Sequence, residues 1–401
     1  MKTKLLTLGF ISFFFFSLQA QETNAPAFGK GLFNLVGKDS TWTMKIGTRM
    51  QFLTIAEWSE GDDGGYGDPE QNFLIRRARL KFDGFAYSPK LKYKIELGLS
   101  NRDISGVSEF TRNTPRYILD AVVMWNFYGN FELWAGQTKL PGNIERVISS
   151  GNLQQVDRSL VNSRFNIDRD VGFQLRHHFN LSENFLIREK FAFSQGEGRN
   201  VTEGNLGGHQ YTGRLEFLPF GQFQSKGDYS GSDLKREVKP KLMFAVNYDI
   251  NKDAVKTRSN LGSYMRNDVG LYETTINTFF FDGMFKYNGF SFMWEYADRD
   301  ADDPIAKNSD GTPTGAIVQV GTGLNLQSGY LFKSNWEVSG RYTNIKLDEN
   351  ITGASPQTQY TLGLSKYIVG HKLKVQTDLS YLSNDVGTDE LMYRLQFDVH
   401  F

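Results

Sequence analysis

Apolar and polar residues alternate along this chain with a period of two, most cleanly over residues 391–401. Tyr393, Leu395, Phe397, Val399 and Phe401 fall on one face of an extended strand, and Arg394, Gln396, Asp398 and His400 on the other. No Gly or Pro interrupts the run. A soluble sheet rarely alternates aromatic and charged residues to its last position. A membrane-crossing strand has to, because one face meets lipid and the other water, and it needs about 9–11 residues to cross.

The alternation recurs upstream. The first run begins at Trp42, with Met44, Ile46, Met50 and Phe52 on one face and Lys45, Arg49 and Gln51 on the other. The second covers 73–85, with Ala78, Leu80 and Phe82 outward and Arg77, Arg79, Lys81 and Asp83 inward. In the third, Leu91, Tyr93, Ile95, Leu97 and Leu99 point outward and Lys92, Lys94 and Glu96 inward. Further runs lie near 116–127, 130–139, 171–180, 184–195, 209–218, 239–249, 275–288, 289–298, 316–332, 335–345, 357–368, 371–383 and 391–401, sixteen in all.

The connections alternate too. Ser88-Pro89, Gly129-Asn130, the residues near Ser182, Asn288-Gly289, Lys333-Ser334 and Val369-Gly370 are short, and Asn-Gly is the favoured two-residue hairpin turn. The others are long and polar, among them 60–70, 252–268 and 300–315. The expected fold is therefore all-β, a 16-stranded antiparallel transmembrane β-barrel spanning 41–401 with long extracellular loops and short periplasmic turns. The connection 219–238 breaks the rule: it is long where a short turn is due, so either that turn is extended or the count slips there. A β-propeller would show a repeated blade motif, and a sandwich would not alternate long and short links so regularly.

Composition sharpens this picture. Aromatics make up 14% of the 401 residues, yet mean hydropathy is −0.43, as expected when each lipid-facing residue is averaged with a polar neighbour. Residues 1–20 carry Lys2 and Lys4 before an apolar stretch and are expected to be a secretory signal peptide, with 21–40 a periplasmic lead-in. Without those two lysines the chain has two more acidic than basic residues, which gives nucleic-acid binding no support. The absence of cysteine excludes a disulfide framework and thiolate metal sites.

Several stretches resemble the phosphate-selective porin O and P family. They are Phe73-Leu-Ile-Arg-Arg-Ala-Arg-Leu-Lys-Phe-Asp-Gly84 followed by Tyr93-Lys-Ile-Glu-Leu97, Leu119-Asp-Ala121 through Gly136-Gln-Thr-Lys-Leu-Pro141, then Asp170-Val-Gly-Phe-Gln174 and Tyr211-Thr-Gly-Arg-Leu215. The likeness is densest from 73 to 216, and 219–240 resembles an insertion seen in some relatives. The resemblance implies a trimeric outer-membrane porin whose third long loop folds inward over a path lined by basic residues. Here that loop is 140–170, also the longest irregular stretch. A terminal Phe on an alternating strand further resembles the signal read by the barrel-assembly machinery.

The candidate pore lining follows from the inward faces: Lys45, Arg49, Arg77, Arg79, Lys81, Lys92 and Lys94, in the company of Asp83 and Glu96. The resemblance adds Lys139 and Arg146 on the third loop. A wall of one charge sign concentrates the opposite ion, and the planar fork of arginine suits phosphate. The expected function is passive diffusion of small hydrophilic solutes, and two readings of its selectivity stand: a preference for anions from the strand faces, or a general porin, since Lys139, Arg146, Arg158, Arg164 and Arg169 of the third loop stand against Glu145, Asp157, Asp168 and Asp170 as a crossed-charge lining. No cofactor, metal ligand set or catalytic constellation is legible. The run Asp298-Arg-Asp300-Ala-Asp302-Asp303 lacks the turn glycine and the bidentate Glu of a calcium loop. The alternative is an outer-membrane barrel enzyme, a protease or phospholipase, which tends to have fewer strands. Sixteen strands leave an aqueous bore.

Overall fold

The computed structural model describes residues 26–61, 64–104 and 106–401. The expected signal peptide, 1–20, lies outside them. Sixteen strands form the wall: β1 (Thr43–Ser59), β2 (Glu70–Ala86), β3 (Ser88–Gly98), β4 (Ile118–Tyr128), β5 (Phe131–Lys139), β6 (Arg169–Ser182), β7 (Phe185–Ser194), β8 (Gln210–Leu218), β9 (Lys241–Ala254), β10 (Thr274–Tyr287), β11 (Phe290–Ala301), β12 (Gly321–Leu331), β13 (Trp336–Leu347), β14 (Gln357–Tyr367), β15 (Leu373–Asn384) and β16 (Glu390–His400). Each pairs antiparallel with the next, and β16 returns to β1 from Arg49↔His400 to Ser59↔Glu390, closing the barrel. Closure leaves no strand edge, so every backbone donor and acceptor at membrane depth can be paired.

Side chains sort as period two requires. On β14, Gln359, Thr361 and Ser365 are buried inside, whereas Tyr360, Leu362 and Leu364 are exposed on the lipid side. The same holds on β16 for Arg394, Gln396 and Asp398 against Tyr393 and Phe397. At one end the links are tight. Asn288 and Gly289 have φ of 51° and 92°, the left-handed pair a two-residue hairpin needs. The β2–β3 turn is centred on Tyr87 (φ 65°) rather than on Ser88-Pro89, and Pro89 falls within β3.

The connection 219–240 does not disturb the count. β8 and β9 pair directly, Phe217 opposite Phe244, so the link between them is an extended turn. The expected run 316–332 divides into β12 and the arm Pro313–Ile317 of a small hairpin over the long-loop rim. Asp298 and Asp300 lie at the end of β11 instead of in a loop. From the lead-in, Phe33–Val36 pairs with the start of β1, and Phe28 packs edge-on against Phe401.

The interior is partly solid. Residues 140–168 leave β5 at the long-loop end and cross the bore, with short helices α1 (Ile144–Val147) and α2 (Leu160–Phe165). They bring Ile144, Ile148 and Leu153 against Leu186, Leu218, Met243, Met284 and Met293 of the wall, and Val161, Phe165 and Ile167 against Ala192, Phe280, Ala297 and Ile345. These inward apolar residues on β7–β13 run against the expectation of a uniformly polar lumen. They exist because a loop fills that half, and burying its apolar side chains needs apolar partners.

Candidate functional site

The crossing loop is held by hydrogen bonds from most of the wall. Asp282 on β10 accepts from the backbone N–H of Ile144 (3.1 Å) and Glu295 on β11 from that of Glu145 (3.0 Å). Arg214 on β8 donates to Asp282 at 2.7 Å through both terminal nitrogens and to the Gly142 carbonyl at 3.0 Å. Arg299 reaches the carbonyls of Arg164 and Phe165, and Lys374 and Gln376 those of Leu153 and Gln154. A buried backbone crossing the bore would otherwise leave these groups unpaired, at about 1–3 kcal/mol each.

On the β1–β5 side the loop stands off the wall and leaves a polar cavity of about 180 Å³. Nine cationic side chains line it, eight of them arginine, against three carboxylates. Of the residues expected from sequence, Arg77, Arg79, Lys139 and Arg146 meet here. Arg49 flanks it, donating to Ser150 Oγ (2.6 Å) and to Asp398. Lys94 lies beside it through Asp120, which it shares with Arg169. Lys45, Lys81 and Lys92 are not part of the cavity but stand toward the short-turn mouth. There Lys372, between β14 and β15, is depressed by burial and by Lys45, Lys81 and Arg49 around it.

Three lining cations, Arg76, Arg102 and Arg199, escaped the sequence reading. Arg76 is the extra residue of a β-bulge, since Gln51 faces Arg77 while Phe52 faces Ile75. The bulge turns Arg76 and Arg77 inward together, and both grip Asp157 of the loop. Arg102, Arg158, Arg169 and Arg199 arrive from loops or loop junctions, where no periodicity points. The acidic company is also larger than Asp83 and Glu96. Arg79 pairs with Glu96 and Asp103, Lys94 with Glu96 and Asp120, and Lys81 with Asp83, so the inward cations of β2 and β3 do not form an unbroken positive strip.

Charge is nonetheless in excess. Burial, with Arg146 alongside, brings Arg158 down to about 9, and burial brings Arg199 down to about 10, so both stay cationic at neutral pH. Among the described residues neither makes an ion pair: Arg158 donates to the carbonyls of Glu145 and Ile148, and Arg199 to that of Asp103. Lys139 likewise donates to the carbonyls of Arg146, Val147 and Ile148. Burial pushes the Asp157 carboxyl up, but Arg76 and Arg77 hold it well below the usual carboxylate range. Burial opposes Arg146 and Arg169 at Asp168 in the same way, and again the arginines win. These loop carboxylates therefore remain ionised far into acid.

A closed sixteen-strand barrel with a loop folded across its bore is matched by one family profile, phosphate-selective porin O and P, over residues 56–391. The chain belongs to this family. It is an outer-membrane porin, a channel protein whose long loops face outward and whose short turns face the periplasm. No curated protein sequence matches it. Among solved structures, the porin is similar to Salmonella typhi OmpF in complex with daunomycin (12% identity, 92% of this chain and 100% of that one, TM-score 0.54). It is similar to an anion-selective porin from Comamonas acidovorans (12%, 89% and 100%, 0.52) and to the trimer form of OmpT from Vibrio cholerae (12%, 88% and 99%, 0.51). At such identities the likeness is one of fold.

Proposed function

We propose that the porin conducts small hydrophilic solutes with a preference for anions, and that phosphate-sized oxyanions are the solutes it favours. The observation that carries this reading is the arginine-rich gap between the crossing loop and β1–β5, with nine cations to three carboxylates. The loop acts there as the constriction. An anion in so narrow a gap exchanges water for guanidinium forks, which match oxyanion geometry in a way an ammonium does not. Arg77, Arg79, Lys139 and Arg146 line the narrow part, Arg49 and Lys94 flank it, and Lys45, Lys81 and Lys92 hold the potential positive down to the periplasmic exit. The family's phosphate selectivity and the anion-selective neighbour point the same way. Wild-type channels in a planar bilayer under a potassium chloride gradient should reverse on the chloride side of zero, and phosphate should block chloride current. A reversal potential on the potassium side would overturn the reading.

The native assembly is a homotrimer in outer-membrane lipid, as the trimer form of one neighbour suggests. Residues 1–20 serve as the export signal. The barrel-assembly machinery recognises the last strand through Phe401, whose N–H donates to the Thr48 carbonyl at 2.9 Å across the seam. Deleting Phe401 should lower the amount of porin in the outer membrane and leave precursor in the periplasm, with unit conductance of the surviving channels unchanged. Wild-type levels of the truncated protein would remove this role.

A further inference from the structure

A polar pair stands on the lipid-facing side of β6 and β7. Gln174 turns into the bore and holds Arg176 there, so Leu175 and His177 face out. On β7, Lys190 faces in and Glu189 and Phe191 face out. His177 lies opposite Glu189 in the ladder, and its Nδ1 is 2.8 Å from the carboxylate. The imidazole is stacked on Phe131, with centroids 3.9 Å apart and planes 14° from parallel, and Phe179 lies 5.8 Å away. Glu189 remains 47% exposed beside Phe191 and Leu215. A charge on the lipid face of a barrel strand is destabilising in proportion to its depth, so this carboxylate needs a polar partner outside the wall.

Beside the pair the wall is hollowed. Gly213 of β8 faces out between Phe191 of β7 and Tyr248 of β9, its direct partners in the two ladders. A Cβ at Gly213 would meet nothing nearer than the Tyr248 carbonyl oxygen at 3.9 Å. The result is an open-sided groove of about 520 Å³, walled by Phe131, Leu175, Phe191, Leu215, Tyr248 and Phe279, with His177 and Glu189 on its rim.

The register orients this groove in the membrane. His177, Glu189 and Leu215 are partners in one row across the strands, and Leu175, Phe191, Gly213, Tyr248 and Phe279 in another. The first row is the nearer to the short turns, and the second lies two residues, about 6.5 Å along the strands, farther from them. The polar rim therefore points to the periplasm and the apolar hollow to the middle of the membrane.

We propose that the groove seats one phospholipid of the periplasmic leaflet, with a primary-amine headgroup. An acyl chain lies over Gly213 along the aromatic row, and the ammonium sits on Glu189. A carboxylate oxygen only accepts, so Nδ1 of His177 carries the proton of the 2.8 Å bond and Nε2 is left as a second acceptor beside the carboxylate. An ammonium offers three N–H donors to such a pair, and a choline headgroup offers none. The seat is on the outside of the wall and touches no permeant solute, so it is independent of the anion reading.

The test uses full-length porin in mild detergent, stripped of lipid and then given phosphatidylethanolamine, phosphatidylcholine or phosphatidylglycerol with the same acyl chains, and weighed by native mass spectrometry. Each chain should retain a single phosphatidylethanolamine, at a concentration about tenfold lower than either other lipid requires, because the charge-assisted hydrogen bonds are lost with them. Glu189→Gln should remove the preference among headgroups. Gly213→Leu, whose side chain fills the hollow, should lower retention of all three. Equal retention of the three lipids by the wild type, or retention untouched by Gly213→Leu, overturns the seat. So does a wild-type assembly that keeps no lipid and falls to monomers on Gly213→Leu, since the groove then holds a neighbouring copy. Should the leucine variant not assemble, the headgroup arm decides alone: a preference that survives Glu189→Gln overturns the inference.

Discussion

Replacing Arg79, Arg102 and Arg199 together by Gln is expected to abolish most of the anion preference. The three face the gap but do not grip the crossing loop's carboxylates, a task left to Arg76, Arg77 and Arg146. The bore should keep its shape, and Asp103, now without its Arg79 partner, should turn its charge on the solute. At about 8 Å and an effective dielectric constant near 20, one unit charge acts on a permeating ion with about 2 kcal/mol. Salt screens this over about 8–10 Å at physiological strength. Even after screening, three charges lost should change the permeability ratio by about tenfold, since about 1.4 kcal/mol is a factor of ten. The reversal potential should move most of the way to zero at low salt, with conductance little altered. An unmoved reversal potential would mean that solutes do not pass these side chains.

Asp282→Ala is expected to be the most destabilising single change in the wall. It removes the carboxylate that takes two hydrogen bonds from Arg214 and one from Ile144, and leaves a fully buried guanidinium with Glu216 alone, a carboxylate it already shares with Lys190 and Arg188. Breaking a buried pair from one side costs about 3–5 kcal/mol, whereas replacing both partners by apolar groups is far milder. The detergent-solubilised barrel should lose its fast electrophoretic mobility at a clearly lower temperature. Arg214→Met combined with Asp282→Leu should recover most of the loss. Equal destabilisation by the single and double variants would show that the pair is not what anchors the loop.

The strand count was legible because period two survives wherever one face meets lipid, as in residues 357–367 and 390–400. Turn chemistry located Asn288-Gly289. It missed Tyr87, because an aromatic residue at positive φ has no sequence signal. Arg76 escaped because counting by twos passes straight through a bulge. Asp103 and Asp120 escaped because their partners are neighbours only in space. The solid half of the interior did leave a trace: β10 carries Ile276, Phe280 and Met284 on one face and Phe279, Phe281 and Phe285 on the other. A strand apolar on both faces is wet on neither, and a lumen was the wrong surrounding to assume there.

The crossing loop also imposes an order on assembly. The carbonyl of Leu153 waits for Lys374 and that of Gln154 for Gln376, at 221 and 222 residues' separation, while the N–H of Glu145 waits for Glu295, 150 residues on. Each wall hairpin, by contrast, closes on neighbours only a few residues away and can form early. The loop is therefore the last part of the molecule to be satisfied, although it is synthesised in the first half of the chain. It serves as a mandrel: β7–β15 wrap onto it, and a chain arrested before β15 would leave the carbonyls of Leu153 and Gln154 without their protein donors.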